Sequence, residues 1–185
     1  MAEYYFISQL PSLDGLNENA PLPIPEERFA ELCNRFLGKR LRDAVKKLTL
    51  SPPRDFKSSG YALIDAWNES ERKLRLALGK IRAEKMKKSF DTENIVLPAE
   101  YVKTAITAAE TENPMEAEKY LNKVRLEILE ELRPQDSFSD DYILYYGLKL
   151  KLILRIQQFD KKVGENSYRN IYNSILNGDR LEAKQ

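Results

Sequence analysis

The sequence predicts an all-α protein, an irregular helix bundle built around one long helix. Three observations predict it. The stretch 59–89 carries Ile64, Trp67, Leu74, Leu78 and Ile81 at spacings of three, four and seven, which places them on one stripe of a helix. Helix-start signals recur along the chain, at Pro25-Glu26-Glu27, Asn113-Pro114-Met115-Glu116 and Ser139-Asp140-Asp141. A third stretch, Tyr142 to Ile156, is apolar nearly all round, the pattern of a helix enclosed by others.

In chain order, Tyr4 to Leu10 is aromatic and β-prone until Pro11 stops it. With no convincing second strand nearby, it is expected to be a short extended arm lying on helices. A loop follows through Asp14-Gly15, Pro21, Pro23 and Pro25, where proline fixes φ. Phe29, Leu32, Cys33, Phe36 and Leu37 then give one helix face, which Gly38 is expected to cap. A second short helix carries Leu41, Ala44, Val45 and Leu48 before Ser51-Pro52-Pro53 ends it. The long helix over 59–89 has no interrupting proline and is rich in straight-chain helix formers. At that length it runs about 45 Å.

Pro98 opens the next helix, with Tyr101, Val102, Ala105, Ile106 and Ala109 on one side. Asn113 caps another, with Pro114 at its first position and Glu116 three after the cap, as in a capping box. Its stripe is Ala117, Leu121, Val124, Ile128 and Leu132, ending at Pro134. The largely buried helix is expected over 139–163, ended by Gly164. A last short helix carries Tyr168, Ile171, Tyr172, Ile175 and Leu176, and 177–185 form a polar tail. The organisation is one helical domain over 1–176, with two closely packed lobes, 1–92 and 93–176, as the other arrangement the pattern allows.

Composition narrows the chemistry. The 30 basic and 29 acidic residues nearly balance, which argues against a field built for nucleic acid or an anionic membrane. The basic runs Lys39-Arg40-Arg42-Lys46-Lys47 and Lys80-Arg82-Lys85-Lys87-Lys88 come with no nucleic-acid fold signature and read as solvated faces. No histidine is present, which removes the usual general base and transition-metal ligand. Glu116, Glu127, Glu130 and Glu131 share a helix, but a carboxylate di-iron site would also draw histidines from facing helices. The seven glycines form neither GxxxxGK nor GxGxxG. The one cysteine, Cys33, sits on an apolar stripe and suits a reducing compartment. The N-terminus lacks the charge and apolar run of a secretory signal, and no apolar segment is long enough to span a bilayer, so a cytoplasmic protein without membrane insertion is expected. No catalytic, cofactor-binding or metal-ligating residues are assigned.

The most ambiguous feature is a polar row beside the long helix's stripe: Asn68, Glu71, Arg75 and Arg82. Glu71 and Arg75, four apart, suit an exposed intrahelical pair of small consequence. Against that, Glu71 falls where the stripe should continue, between Trp67 and Leu74. The spacing slightly favours the exposed pair. These four residues are the candidate partner contacts.

Several blocks together resemble a family. YYFISQLPSL and PLPIPEERFAELC are similar to the start of a bacterial family associated with V-type (A/V-type) ATPase operons. The likeness continues through LRLALGKIRA, NPMEAEKYLNKVRLEILEEL and YILYYGLKLKLILRIQQFD, in the family's order. Leu76 stands where the family usually has asparagine. The resemblance implies a role like that of the rotary ATPase's C (also called d) subunit, an all-helical, non-catalytic connector between the rotating shaft and the membrane ring. It implies the other ATPase subunits as partners and a place on the cytoplasmic side, peripheral to the inner membrane. The chain is short for three full helical lobes, so a shortened homologue or a fragment is expected. A helical adaptor or regulator that binds another protein is the competing expectation.

Overall fold

Side-chain capping sets the starts of three helices. The computed structural model describes residues 2–15, 22–53, 57–90, 95–157 and 172. Among them are seven α-helices and no strand: α1 Ala2–Ser8, α2 Glu26–Phe36, α3 Lys39–Lys46, α4 Ala62–Lys85, α5 Ala99–Glu110, α6 Pro114–Glu131 and α7 Asp140–Gln157. At α6 the Asn113 side chain accepts a hydrogen bond from the Met115 N–H at 3.0 Å, with Pro114 at the first position, where its missing N–H costs nothing. At α7 the Ser139 hydroxyl accepts from the Tyr142 N–H at 3.2 Å. The start of α4 has no cap from its own Tyr61, but Asp141 on α7 accepts a hydrogen bond from the Leu63 N–H. That carboxylate lies where the helix dipole favours negative charge.

Four expectations are corrected. The N-terminal arm is helical over Ala2–Ser8 instead of extended. Aromatic residues favour a strand only when a neighbouring strand completes its hydrogen bonds; a helix closes them within the segment and still buries Phe6 against Phe29. The long helix is shorter than 59–89. Gly60, at φ +80°, turns the chain before it, and the Asp65 carboxylate accepts from the Ser59 N–H at 2.8 Å. Its other end is a Schellman turn: Lys88 N–H donates to Ala83 O at 2.9 Å and Lys87 N–H to Glu84 O at 3.0 Å. Lys87 takes the left-handed position at φ 53°, which glycine usually fills, so the sequence carries no stop signal there. Gly38 does not cap α2; it precedes α3 in extended conformation. On α5 the buried residues are Ala105 and Ala108, while Ile106 is exposed.

The apolar interior forms two clusters. The larger gathers Phe6, residues of α2 and α3, Leu63 and Trp67 from α4, Leu129 from α6, and α7 from Ile143 to Ile153. As expected, α7 is buried nearly all round over Ile143–Leu150. Gly147 lets Leu48 approach so closely that a Cβ there would lie 2.8 Å from its Cδ1. The smaller cluster joins Leu74, Ala77 and Leu78 of α4 to Ala105, Ala108 and Leu121. Both clusters draw on α4 and α6, so they meet across these two helices. Cys33 is buried in the larger cluster, where burial pushes the thiol up to about 12. Such a thiol is a small apolar side chain, not a nucleophile. The expected extension of α7 to 163, the helix near 168–176 and the tail 177–185 lie outside the described residues, apart from Tyr172.

Candidate functional site: a buried polar layer between α4, α6 and α7

Where the two apolar clusters meet, the interior turns polar. Along α4, Glu71 stands between Trp67 of one cluster and Leu74 of the other. Along α6, Arg125 stands between Leu121 and Leu129, in the opposite order. The helices therefore run antiparallel here and set the two charges side by side. Arg125 Nε donates to both Glu71 oxygens, at 3.3 and 3.1 Å. Glu71 is 1% exposed and Arg125 5% exposed.

Further hydrogen bonds extend the pair on both sides. Arg75 Nε donates to Glu71 Oε1 at 2.8 Å, and its Nη2 reaches Ser51 Oγ at 3.1 Å. Arg125 Nη1 donates to Asn122 Oδ1 at 3.1 Å and to Glu118 Oε1 at 3.3 Å. Glu118 accepts in turn from Arg155 Nη2 of α7, at 2.6 Å. Three arginines and two carboxylates thus alternate through a layer that ties three helices together. Removing one partner of a buried ion pair leaves an uncompensated charge, which is why such pairs fix how helices meet.

The four candidate contacts separate in this geometry. Glu71 is enclosed by the chain's own residues, which corrects the exposed-pair reading. Its bond to Arg75 forms as the spacing predicts, but the bond to Arg125, across 54 positions, is the buried one. Arg75 keeps 43% of its side chain exposed and can face a partner. Asn68 is buried and lines a cavity against α3. Arg82 is exposed and lies outside the layer.

Asn122, Arg125, Glu118 and Arg155 were missed by sequence reasoning. Of the expected α6 stripe of Ala117, Leu121, Val124, Ile128 and Leu132, Leu121 is buried and Ile128 and Leu132 pack against the larger cluster, but the centre of the buried face also takes in Asn122, Arg125 and Leu129. One signal was available. Leu121, Arg125 and Leu129 recur every four residues, so Arg125 interrupts an apolar row just as Glu71 does.

A second polar cluster fastens the N-terminal loop. Lys149, buried on α7, donates to Asp14 Oδ1 and sits against Glu130 Oε1, each at 2.6 Å, with Tyr145 OH at 3.3 Å. Tyr145 OH donates to Glu130 Oε1 at 2.8 Å, and Tyr146 OH to the Pro11 carbonyl at 2.9 Å. Burial pulls the Lys149 ammonium down, but hydrogen bonds to Asp14, Glu130 and Tyr145 outweigh it and hold it above an ordinary lysine. The Lys149 hydrogen bond likewise holds the Asp14 carboxyl below its usual value, against the opposing effect of burial.

A carboxyl depressed on folding contributes stability that is present above its unfolded value and lost as pH falls through the folded one. Wild-type stability should therefore fall more steeply than that of Asp14→Asn between about pH 5 and pH 3. Urea unfolding across that window measures it. Because Asp14 is more than half exposed, solvent screening holds the difference to at most about 1 kcal/mol. Parallel slopes would show that the tether has no acid-side role.

Comparison with known proteins covers the second half of the chain. Residues 93–179 match the model of a family described as a protein of unknown function (DUF2764). The match takes in α5, α6 and α7, and so the Arg125, Asn122, Glu118 and Arg155 side of the polar layer; Glu71 and Arg75 lie before it. No curated protein and no solved structure matches the chain. Among the described residues, no helix is long and apolar enough to cross a membrane.

Proposed function

We propose that this protein is a non-catalytic connector of a V-type ATPase, similar to its C (d) subunit, that links the rotating shaft to the membrane ring. The observation that carries the reading is the ordered set of resembling blocks. They fall on α1, α2, α4, α6 and α7, which hold the polar layer and, with α3, build the larger cluster. A connector must pass force between two partners without shearing internally. Helices that run through both clusters and are locked at the junction by hydrogen-bonded charges suit that task. Arg75 and Arg82, both exposed on α4, are the proposed polar contacts, and the ATPase would hold the protein at the cytoplasmic face of the inner membrane.

The test is purification of the tagged protein from its native host under mild salt. The catalytic, shaft and ring subunits should co-elute, and Arg82→Glu should reduce their recovery while the protein's own unfolding is unchanged. Recovery of none of these subunits overturns the reading. The alternative is a helical adaptor for another protein. It is favoured by one surface feature, the exposed Tyr4 ring stacked on exposed Phe138 at 4.6 Å between centroids. Aromatic pairs left on a surface in this way are enriched at protein interfaces.

A further inference from the structure

Between α3 and the first half of α4 the larger apolar cluster opens into a cavity of about 570 Å³. That lies within the roughly 300–1,000 Å³ usual for small-molecule sites. Its apolar wall is made by Leu48, Ile64, Trp67 and Leu148. Among the described residues its charged lining is uneven: Arg40, Lys47 and Lys57 against one carboxylate, Asp43. Arg40 is held in place, its guanidinium 5.4 Å from the centre of the Tyr61 ring.

Two lining residues have unmet hydrogen-bonding capacity. Trp67 is 1% exposed, yet its Nε1–H has no acceptor among the described residues. The buried Tyr61 hydroxyl is likewise without a partner among them. Buried polar groups are almost always paired, and these two, each with almost no accessible surface of its own, are exceptions. An apolar wall beside an excess of cations describes one kind of complement.

We propose that this cavity binds a small organic anion with an apolar body. Arg40, Lys47 and Lys57 take the anionic end, and the Trp67 wall takes the body. The site is independent of the ATPase reading, which co-purification tests separately. Charge-assisted hydrogen bonds from arginine and lysine supply most of the selectivity for an anion over its neutral isostere.

Trp67 is the only tryptophan in the chain, so its fluorescence reports directly on this wall. The full-length protein would be titrated with octanoate, 4-phenylbutyrate and phenyl phosphate, and with neutral 4-phenylbutanamide as control. At least one anion should change Trp67 emission saturably, and phenyl phosphate against the two carboxylates identifies the preferred head group. The amide should bind at least about tenfold more weakly than 4-phenylbutyrate. Arg40→Gln combined with Lys47→Gln, both at exposed positions, should weaken binding about tenfold with the melting transition unchanged. No saturable change with any of the three anions overturns the proposal. So does equal binding of acid and amide, or full binding by the folded double variant.

Discussion

Replacing Arg125 with methionine is expected to destabilise the protein by about 3 kcal/mol, towards the lower end of the range for breaking a buried ion pair. The change keeps most of the side-chain volume on α6 but withdraws the donor that meets both oxygens of Glu71. Arg75 remains on Glu71 Oε1, which is why the loss is not larger. Oε2 is then left in an interior where Glu71 is 1% exposed. The companion variant is Glu71→Leu with Arg125→Met, which replaces both charges by apolar groups. It should recover most of the lost stability, because well-packed apolar residues commonly match a buried ion pair. Urea unfolding of the two single variants and the double variant closes a double-mutant cycle. A loss below about 1 kcal/mol in Arg125→Met would mean that water reaches Glu71 and the layer is not sealed.

Truncating the core tests whether the two apolar clusters unfold together. Leu144 in the larger cluster and Leu74 in the smaller are both fully buried. Each leucine-to-alanine change should therefore destabilise by about 2–5 kcal/mol through lost burial and the cavity left behind. Since α4 and α6 pass through both clusters, either variant should lower the midpoint of one common transition, seen identically by helix circular dichroism and by Trp67 fluorescence. Trp67 lies in the larger cluster, 7 residues along α4 from Leu74. If Leu74→Ala lowered the circular-dichroism transition and left the fluorescence transition in place, the clusters would be separately folding units. The polar layer would then be a hinge, not a lock.

How much was legible in the sequence varies by element. Stripes whose burial follows from their own periodicity were read well: Phe29, Leu32 and Cys33 on α2, Trp67, Leu74 and Leu78 on α4, and nearly every residue in the middle of α7. Start signals with a local mechanism were also read well, since Asn113 and Ser139 bond within two or three residues of themselves. The misreadings share a cause. The helical N-terminus depends on what packs against Phe6, and the end of α4 depends on Lys87 accepting a left-handed conformation that its side chain does not advertise. The buried face of α6 includes a charged residue that no apolar periodicity marks. Arg125 points inward only because α4 brings a carboxylate to meet it.

By itself, then, the sequence determined the all-α class, most helix starts and the apolar faces that drive association, because each is fixed by interactions a few residues apart. It also placed Glu71 in a position that an exposed residue would not be expected to hold. Only the tertiary structure decided what that carboxylate does. A lone charge facing the core is strongly unfavourable, and a paired one can hold three helices in register. The partner that separates these outcomes is 54 positions away, and only the fold brings it to Glu71.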